Sequence, residues 1–159
     1  MASKVNSFAI LLYQTCHLIF DVIFFFLSRE LVVTAINNRF TTDPSGKIME
    51  LGEGGCPWKE HLFTLEKQLG LDDAEKQLIY VIYPDQNNSW RVQGVPPAPQ
   101  SFDLRCGLPA EWRGFRDQEL DKVSGIEGCI FVHASGFIGG NKTRDGAIKM
   151  AQKSLALRK

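Results

Sequence analysis

The chain has 159 residues, 44% of them hydrophobic and 23% charged, and its 18 basic residues balance its 18 acidic ones. This length is typical of one domain, and the composition excludes a disordered chain, a strongly basic nucleic-acid binder and an acidic tail protein. The neutrality is a cancellation. Residues 28–140 hold 11 basic and 16 acidic groups, whereas residues 141–159 hold six basic groups and one acidic group.

The first predicted element is a hydrophobic helix near the amino terminus. Sixteen of the twenty residues in Phe8–Leu27 are apolar, which is long enough to cross a bilayer. Asp21 opposes insertion by about 2.5–3.5 kcal/mol at most, so a signal anchor or an uncleaved leader fits the segment. A cleaved signal peptide fits less well because no small-residue cleavage site follows Leu27. Two alternatives are a buried core helix and a segment foreign to the domain that follows.

Residues 29–40 predict a short amphipathic helix, whose apolar face consists of Leu31, Val32, Ala35, Ile36 and Phe40. Turn-forming residues 43–46 separate this helix from a short strand at Lys47–Leu51. Pro57 then favours the start of a helix from Trp58 to about Leu69, which Gly70 ends.

The strongest strand pattern follows. Leu78–Tyr83 and Trp90–Val95 predict an antiparallel hairpin, and a proline-rich surface loop leads from it to a brief helix at residues 116–123. Ile126–Ala134 predicts another buried strand, followed by a glycine-rich turn and a carboxyl-terminal helix from about Thr143. The expected fold is α+β, with a mixed or antiparallel sheet, flanking helices and the extra hydrophobic helix at the amino terminus.

Cysteine and histidine spacing does not predict a metal site. The four cysteines (Cys16, Cys56, Cys106 and Cys129) lie 23 to 50 positions apart and form no paired ligand motif with the three histidines. We expect free thiols in a reducing compartment, with Cys129 inside a strand and Cys56 in a turn. Nothing in the spacing identifies a cysteine nucleophile.

The glycine-rich segment is residues 133–144, HASGFIGGNKTR. Residues 136–143 differ by one letter from the phosphate-binding pattern G-x-x-x-x-G-K-[ST], because Asn141 replaces a glycine. Only sixteen residues follow Thr143, too few for the remaining strands and the metal-binding aspartate of a nucleotide hydrolase. We therefore do not expect nucleoside triphosphate hydrolysis.

The same segment still suits an anion. Gly139 and Gly140 permit close backbone approach, and Asn141 or Thr143 can cap the following helix. Lys142 and Arg144 add positive charge, and His133 begins the segment. The structural alternative is a tight junction between a strand and a helix, with solvated cations and a packed histidine.

Several motifs together resemble the MYG exonuclease family (melanocyte proliferating gene product), a member of the DHH phosphoesterase superfamily. They are Cys56–Leu62 (CPWKEHL), Ile82–Asp85 (IYPD), Trp90–Gln93 (WRVQ), Trp112–Gly114 (WRG) and Gly128–Gly140 (GCIFVHASGFIGG). The motifs occur in the family's order, and the resemblance covers residues 28–159. Residues 1–27 do not resemble the family.

The resemblance implies metal-dependent 3′–5′ exonuclease activity on RNA in the nucleus and mitochondria, with further presence in the cytoplasm. It also implies two domains, of which the amino-terminal one binds divalent manganese or magnesium through a D-H-H signature. The carboxyl-terminal domain holds the substrate-binding segment, carried here by His133, Gly139, Gly140, Asn141, Lys142, Thr143 and Arg144. Some members have histidine in place of Asn141.

This chain contains no D-H-H and no H-x-D sequence. We therefore expect residues 28–159 to be the carboxyl-terminal, substrate-binding domain from a truncated, alternative or misassembled gene. No catalytic residue, metal ligand or cofactor is predicted here, so the chain alone is expected to be inactive. RNA is the expected partner, with a separate metal-binding domain acting in trans as a further one. The competing hypothesis is a membrane-tethered interaction module, held by residues 8–27, without any nucleic-acid role.

Overall fold

The structure, a computed structural model, describes residues 22–158. Its elements in chain order are α1 (residues 22–37), α2 (Arg39–Thr42), β1 (Ile48–Glu50), α3 (Trp58–Gln68), β2 (Tyr80–Pro84), β3 (Trp90–Gly94), a 3-10 turn (Ala110–Trp112), α4 (Asp117–Ser124), β4 (Cys129–Val132), β5 (Ile138–Asn141) and α5 (Arg144–Ala156).

The strands form one five-stranded sheet in the order β1-β2-β3-β5-β4. β1 and β2 are parallel, and the connection between them contains α3, as a crossover between parallel strands requires. Every other neighbouring pair of strands is antiparallel. The predicted hairpin is β2–β3, which pairs Tyr80 with Gly94 and Pro84 with Trp90. The predicted α+β class, with a mixed sheet and flanking helices, is confirmed.

Helices cover the two sides of the sheet unequally. On one side, α5 packs against β2, β3 and β5, and Met150 joins the apolar cluster that contains Val92. On the other side, α1 and α3 cover β1, β2 and the end of β3, where Leu62 and Val81 share a second cluster. That second cluster contains no side chain from β4 or β5. We call this side of β3, β5 and β4, which no helix within residues 22–158 covers, the open face.

The helix predicted for residues 29–40 is α1, which is longer than predicted and buries fewer of the predicted apolar residues. Within the described residues it is helical from residue 22 to residue 37, and α2 follows. Val32, Ala35 and Ile36 are buried, whereas Leu31 and Phe40 are 41% and 58% exposed. The prediction that Phe40 lies on the buried apolar face of this helix is wrong, because the helix ends before Asn38 and Phe40 belongs to α2.

The hydrophobic segment Phe8–Leu27 lies largely outside the described residues. Residues 22–27 are the first described turns of α1, and their side chains are exposed. Within residues 22–158 no helix is both long enough and apolar enough to span a membrane. The prediction of a signal anchor depends on residues 8–21 and stays a prediction.

The described cysteines are unpaired thiols, as predicted. Cys129 is buried in β4, and Cys56 and Cys106 are half-buried. Burial raises the pKa of both Cys56 and Cys129. A raised pKa lowers the thiolate fraction at neutral pH, so neither thiol has the character of an activated nucleophile.

Candidate nucleic-acid interface

The glycine-rich segment consists of a hairpin turn, a strand and a helix cap. The Gly136 N–H donates to the carbonyl of His133 at 2.8 Å, and Gly136 has φ +73°, which favours glycine. The predicted order of strand, glycine-rich segment and helix is confirmed, but the single predicted turn also contains β5. Because β5 is paired with β3 and β4, the N–H groups of Gly139 and Gly140 are directed at neighbouring strands.

Asn141 is fully buried and hydrogen-bonded at both ends of its amide. Its Nδ2 donates to the carbonyl of Glu127 at 2.9 Å, and its Oδ1 accepts from the Thr143 N–H at 2.9 Å. The Thr143 hydroxyl donates to the same oxygen at 3.1 Å. These bonds tie the end of β5 to the loop before β4, so Asn141 holds the local fold and offers no free group to a ligand.

The remaining predicted residues lie where β5 passes into α5. Thr143 caps the helix, since its Oγ1 accepts from the Gly146 N–H at 3.0 Å; the predicted cap is confirmed for this residue. Arg144 binds Glu50 through two bonds of 2.6 Å, which also raise its pKa. Lys142 is exposed and has no ion pair or side-chain hydrogen bond within residues 22–158.

Gly139 and Gly140 face opposite sides of the sheet. A Cβ on Gly139 would lie 2.9 Å from Leu108 Cδ1 and 3.1 Å from the carbonyl oxygen of Phe131, inside the core beneath α5. A Cβ on Gly140 would overlap the guanidinium of Arg91 on the open face. Gly139 is therefore required for packing in the core, whereas Gly140 makes room for the Arg91 side chain.

The seven predicted site residues therefore lie in three separate parts of the structure. His133 and Gly140 belong to the open face, and Gly139 and Asn141 belong to the side covered by α5. Lys142, Thr143 and Arg144 occupy the β5–α5 junction, and His133 lies beyond the other end of β5. The seven residues do not converge on one anion pocket.

The strand register brings Gly140 and four other positions into one row across the open face. In the ladders Tyr83 pairs with Arg91, Arg91 with Gly140, Gly140 with Phe131, and Phe131 with Arg116. Directly paired residues point to the same side of a sheet. Val92, beside Arg91, faces α5, so the row lies on the opposite, open face.

Arg91 is held in place at the middle of this row. Asp85 accepts from its Nη2, and the guanidinium carbon lies 5.1 Å from the centre of the Phe131 ring. Its Nη1 is buried and has no hydrogen-bond partner. An unpaired buried donor is unfavourable, and Nη1 is covered by its neighbours, packed against Gly140.

Arg116 and Tyr83 complete the row. The Arg116 guanidinium lies 5.9 Å from the Phe131 ring centre, and the side chain has no ion pair within residues 22–158. Burial raises the pKa of Tyr83, although Arg91 acts in the opposite direction, and the protonated phenol donates to Gln93 Oε1 at 2.8 Å. The row thus combines two cations, an aromatic ring and a neutral hydroxyl.

His133 lies at the hairpin end of the open face. It is exposed, its Nδ1 is 2.9 Å from the Ser135 hydroxyl, and its ring centre is 4.8 Å from that of Phe137. These contacts orient the imidazole at the surface and leave Nε2 accessible. The packed-histidine alternative does not describe this residue.

Sequence reasoning did not identify Arg91, Phe131 or Arg116 as site residues. Arg91 is one of the residues of β3 that alternate with buried residues such as Val92. This alternation predicts only that Arg91 faces away from the core. Phe131 belongs to an apolar strand, and Arg116, predicted as the first residue of a helix, instead lies extended just before α4 and pairs with Phe131; neither has a local signal for a site. Their proximity follows from the register of non-consecutive strands.

The described residues do not form a site for the divalent metal that the resemblance implies. Within residues 22–158 no group of three or more histidine, cysteine, aspartate or glutamate side chains is arranged to hold a metal ion. The Asp85 carboxylate, beside the row, already accepts hydrogen bonds from Arg91 and from the backbone N–H groups of Asn87 and Ser89. No reaction step is therefore assigned to a metal in this part of the chain.

Comparison with known proteins identifies the family. The family model MYG1_exonuc, described as Uncharacterised protein family (UPF0160), matches residues 15–155. The chain is similar to the MYG1 exonucleases of Homo sapiens and Bos taurus, at 56% and 58% identity over 131 residues, which is 82% of this chain and 34% of each relative. It is also 46% identical over 129 residues to a MYG1 protein of Saccharomyces cerevisiae, covering 81% of this chain and 37% of that protein.

The matched range includes part of residues 1–27, which we expected to lie outside the resemblance, and α1 runs through residue 27 without a break. A domain boundary at this point stays a prediction. The chain spans about a third of the length of the curated relatives it matches. No solved structure matches it significantly. On the family model and the identity to these relatives, the chain belongs to the MYG1 exonuclease family.

Proposed function

We propose that this chain is the nucleic-acid-binding part of a nuclease of its family and that RNA lies across the open face. The proposal is carried by the open face itself, on which Arg91 and Arg116 flank Phe131 beside Gly140. Arginine binds phosphate groups, and aromatic rings stack on bases. The human and bovine relatives are named exonucleases, and an exonuclease must hold a nucleic acid.

The glycine-rich segment supports this surface in two ways. His133 and Lys142 are exposed at opposite ends of β5, so an RNA backbone that follows the strand meets a polar group at each end. Gly139, Asn141 and Thr143 hold β5 and α5 in position through packing and hydrogen bonds. The substrate-binding role that the resemblance gives this segment is thus direct for some residues and indirect for others.

The position of the chain within a larger nuclease is part of the same proposal. Coverage of about a third of each relative agrees with a chain that contributes one part of the enzyme, which by resemblance is the carboxyl-terminal part of a protein of the DHH superfamily. A metal-binding domain acting in trans and a nuclear and mitochondrial location are further expectations from the resemblance.

We expect the purified chain to show no manganese-dependent or magnesium-dependent release of nucleotides from RNA, because residues 22–158 offer no ligand set for a metal ion. A 3′-labelled single-stranded RNA, incubated with each metal and resolved on a denaturing gel, measures this. Product release that a chelator abolishes, and that survives further purification, would contradict the expectation.

Lys142→Gln is expected to weaken binding of a single-stranded RNA several-fold and to reduce the salt dependence of binding. Removing one phosphate contact lowers the magnitude of the slope of log affinity against log salt by about 0.7. Fluorescence anisotropy of a labelled RNA at three or more salt concentrations gives both quantities.

The matched control is Lys149→Gln, which removes the same charge from the exposed side of α5. Arg144 is less suitable as a probe, because its substitution also leaves Glu50 without its partner. If both lysine variants change affinity and slope equally, binding depends on net charge alone and the proposed surface is wrong.

A further inference from the structure

We propose that Arg91 and Arg116 form an oxyanion site on either side of Phe131, and that its ligand is a phosphate group of the nucleic-acid backbone. The choice of this ligand rests on the proposed function. The existence of an oxyanion site rests on the contacts of the two arginines.

The two guanidinium groups reach one aromatic ring from different parts of the chain. Arg91 extends from β3 over Gly140, and Arg116 belongs to the short extended segment that pairs with the outer edge of β4. Their guanidinium carbons lie 5.1 and 5.9 Å from the centre of the Phe131 ring. Cation–ring attraction therefore places both cations on the same patch of the open face.

This arrangement carries more positive than negative charge. Two like charges near one ring repel each other, and Asp85 is the acid that pairs with either of them within residues 22–158. Asp85 binds Nη2 of Arg91 and leaves Nη1 buried without a partner. A bound oxyanion would offset the repulsion between the two arginines.

The site is also fixed before a ligand arrives. Asp85 Oδ1 accepts from the N–H groups of Asn87 at 2.8 Å and Ser89 at 2.9 Å, so the carboxylate that orients Arg91 is locked in the β2–β3 turn. Gly140 leaves the space that the guanidinium occupies. A cation held in position by its neighbours loses little side-chain freedom when it binds an anion.

A nucleic-acid phosphate suits the site through what is attached to it. A phosphodiester shares one negative charge between two oxygens, each of which can accept from a guanidinium group, as the oxygens of a carboxylate can. In a nucleic acid the sugar and base attached to the phosphate can lie against Phe131. Free phosphate shares the oxyanion chemistry but has nothing to place on the ring.

The test measures the binding of two ligands, inorganic phosphate and a labelled single-stranded RNA, to the full 159-residue chain. The variants are Arg91→Gln, Arg116→Gln and Gly140→Ala, the last of which displaces the Arg91 guanidinium without removing a charge. Arg39→Gln is the control, because Arg39 also lies on a phenylalanine ring, at 4.4 Å from that of Phe40, but outside the open face. Thermal unfolding of each variant separates loss of the site from loss of the fold.

We expect phosphate binding by the unmodified chain and its loss in Arg116→Gln, whose side chain is exposed and whose removal leaves the core intact. RNA affinity should fall several-fold in all three variants. The salt slope should fall in magnitude by about 0.7 in each arginine variant and remain unchanged in the control.

The outcomes separate this inference from the proposed function. Phosphate binding that Arg116→Gln abolishes, without any RNA binding, supports the oxyanion site and overturns its nucleic-acid ligand together with the proposed function. RNA binding that the arginine variants weaken, without any binding of inorganic phosphate, supports the proposed function and overturns the oxyanion site. RNA binding that the arginine variants leave unchanged overturns both the oxyanion site and the open face as the RNA surface. Binding of neither ligand overturns both.

Discussion

Replacing Glu66 with alanine is expected to lower the free energy of unfolding by about 3–5 kcal/mol, because the change leaves a buried arginine without its partner. The Glu66 carboxylate binds Arg105 through two hydrogen bonds of 2.7 and 2.8 Å, and the two side chains are 2% and 5% exposed. It also accepts from the Leu78 N–H at 3.1 Å, and Arg105 donates to the Leu78 carbonyl at 2.8 Å. The pair thus joins α3, the start of β2 and the proline-rich loop.

Urea unfolding followed by circular dichroism measures the change, with Glu60→Ala as the control. Glu60 is an exposed glutamate on the same helix, so its removal tests the loss of an acid from α3 without the buried bonds. A difference of less than about 1 kcal/mol between the two variants, the range typical of an exposed ion pair, would show that the buried pair is not an essential connection.

Asn141→Leu is expected to lower the free energy of unfolding by about 3 kcal/mol. The substitution removes two hydrogen bonds of a fully buried side chain, to the Glu127 carbonyl and from the Thr143 N–H, and leaving a polar group without its partner costs about 1–3 kcal/mol. The bulkier side chain also meets the backbone of Gly146, where even a Cβ would overlap the Asn141 amide. Urea unfolding of the variant checks this.

The same variant distinguishes the two roles available to Asn141. A structural residue loses stability on substitution, whereas a ligand-binding residue loses RNA affinity while the fold is retained. Asn37→Leu, at an exposed position of α1, controls for the apolar substitution itself. Unchanged stability in Asn141→Leu together with weaker RNA binding would contradict the structural role and restore Asn141 to the binding site.

Local sequence patterns predicted most of the fold because most elements have their own signal. The alternation in Trp90–Gly94 and the apolar run that ends at Tyr83 identified the central hairpin, and the helical spacing after Thr143 identified α5. β5 was not predicted, since glycine has low strand propensity. Its strand conformation is imposed by β3 and β4, which pair with it on both sides.

The site was less predictable than the fold. The cap at Thr143 could be inferred because capping is local. The glycine pattern predicted close approach of an anion to the backbone, whereas a side chain of the same protein lies against Gly140. That side chain belongs to Arg91, about fifty positions away from Gly140, and Arg116 reaches the same ring from a third part of the chain. Only the register of the sheet determines these contacts, and no spacing along the sequence encodes it.

If RNA lies on the open face of β3, β5 and β4, a short single-stranded RNA titrated into the chain should perturb the backbone signals of that face. In a ¹H–¹⁵N correlation spectrum we expect shifts at Gln93, Phe131 and Gly140, with little change at Lys149 and Lys153 on the exposed side of α5. Shifts confined to α5, with the open-face residues unchanged, would contradict it.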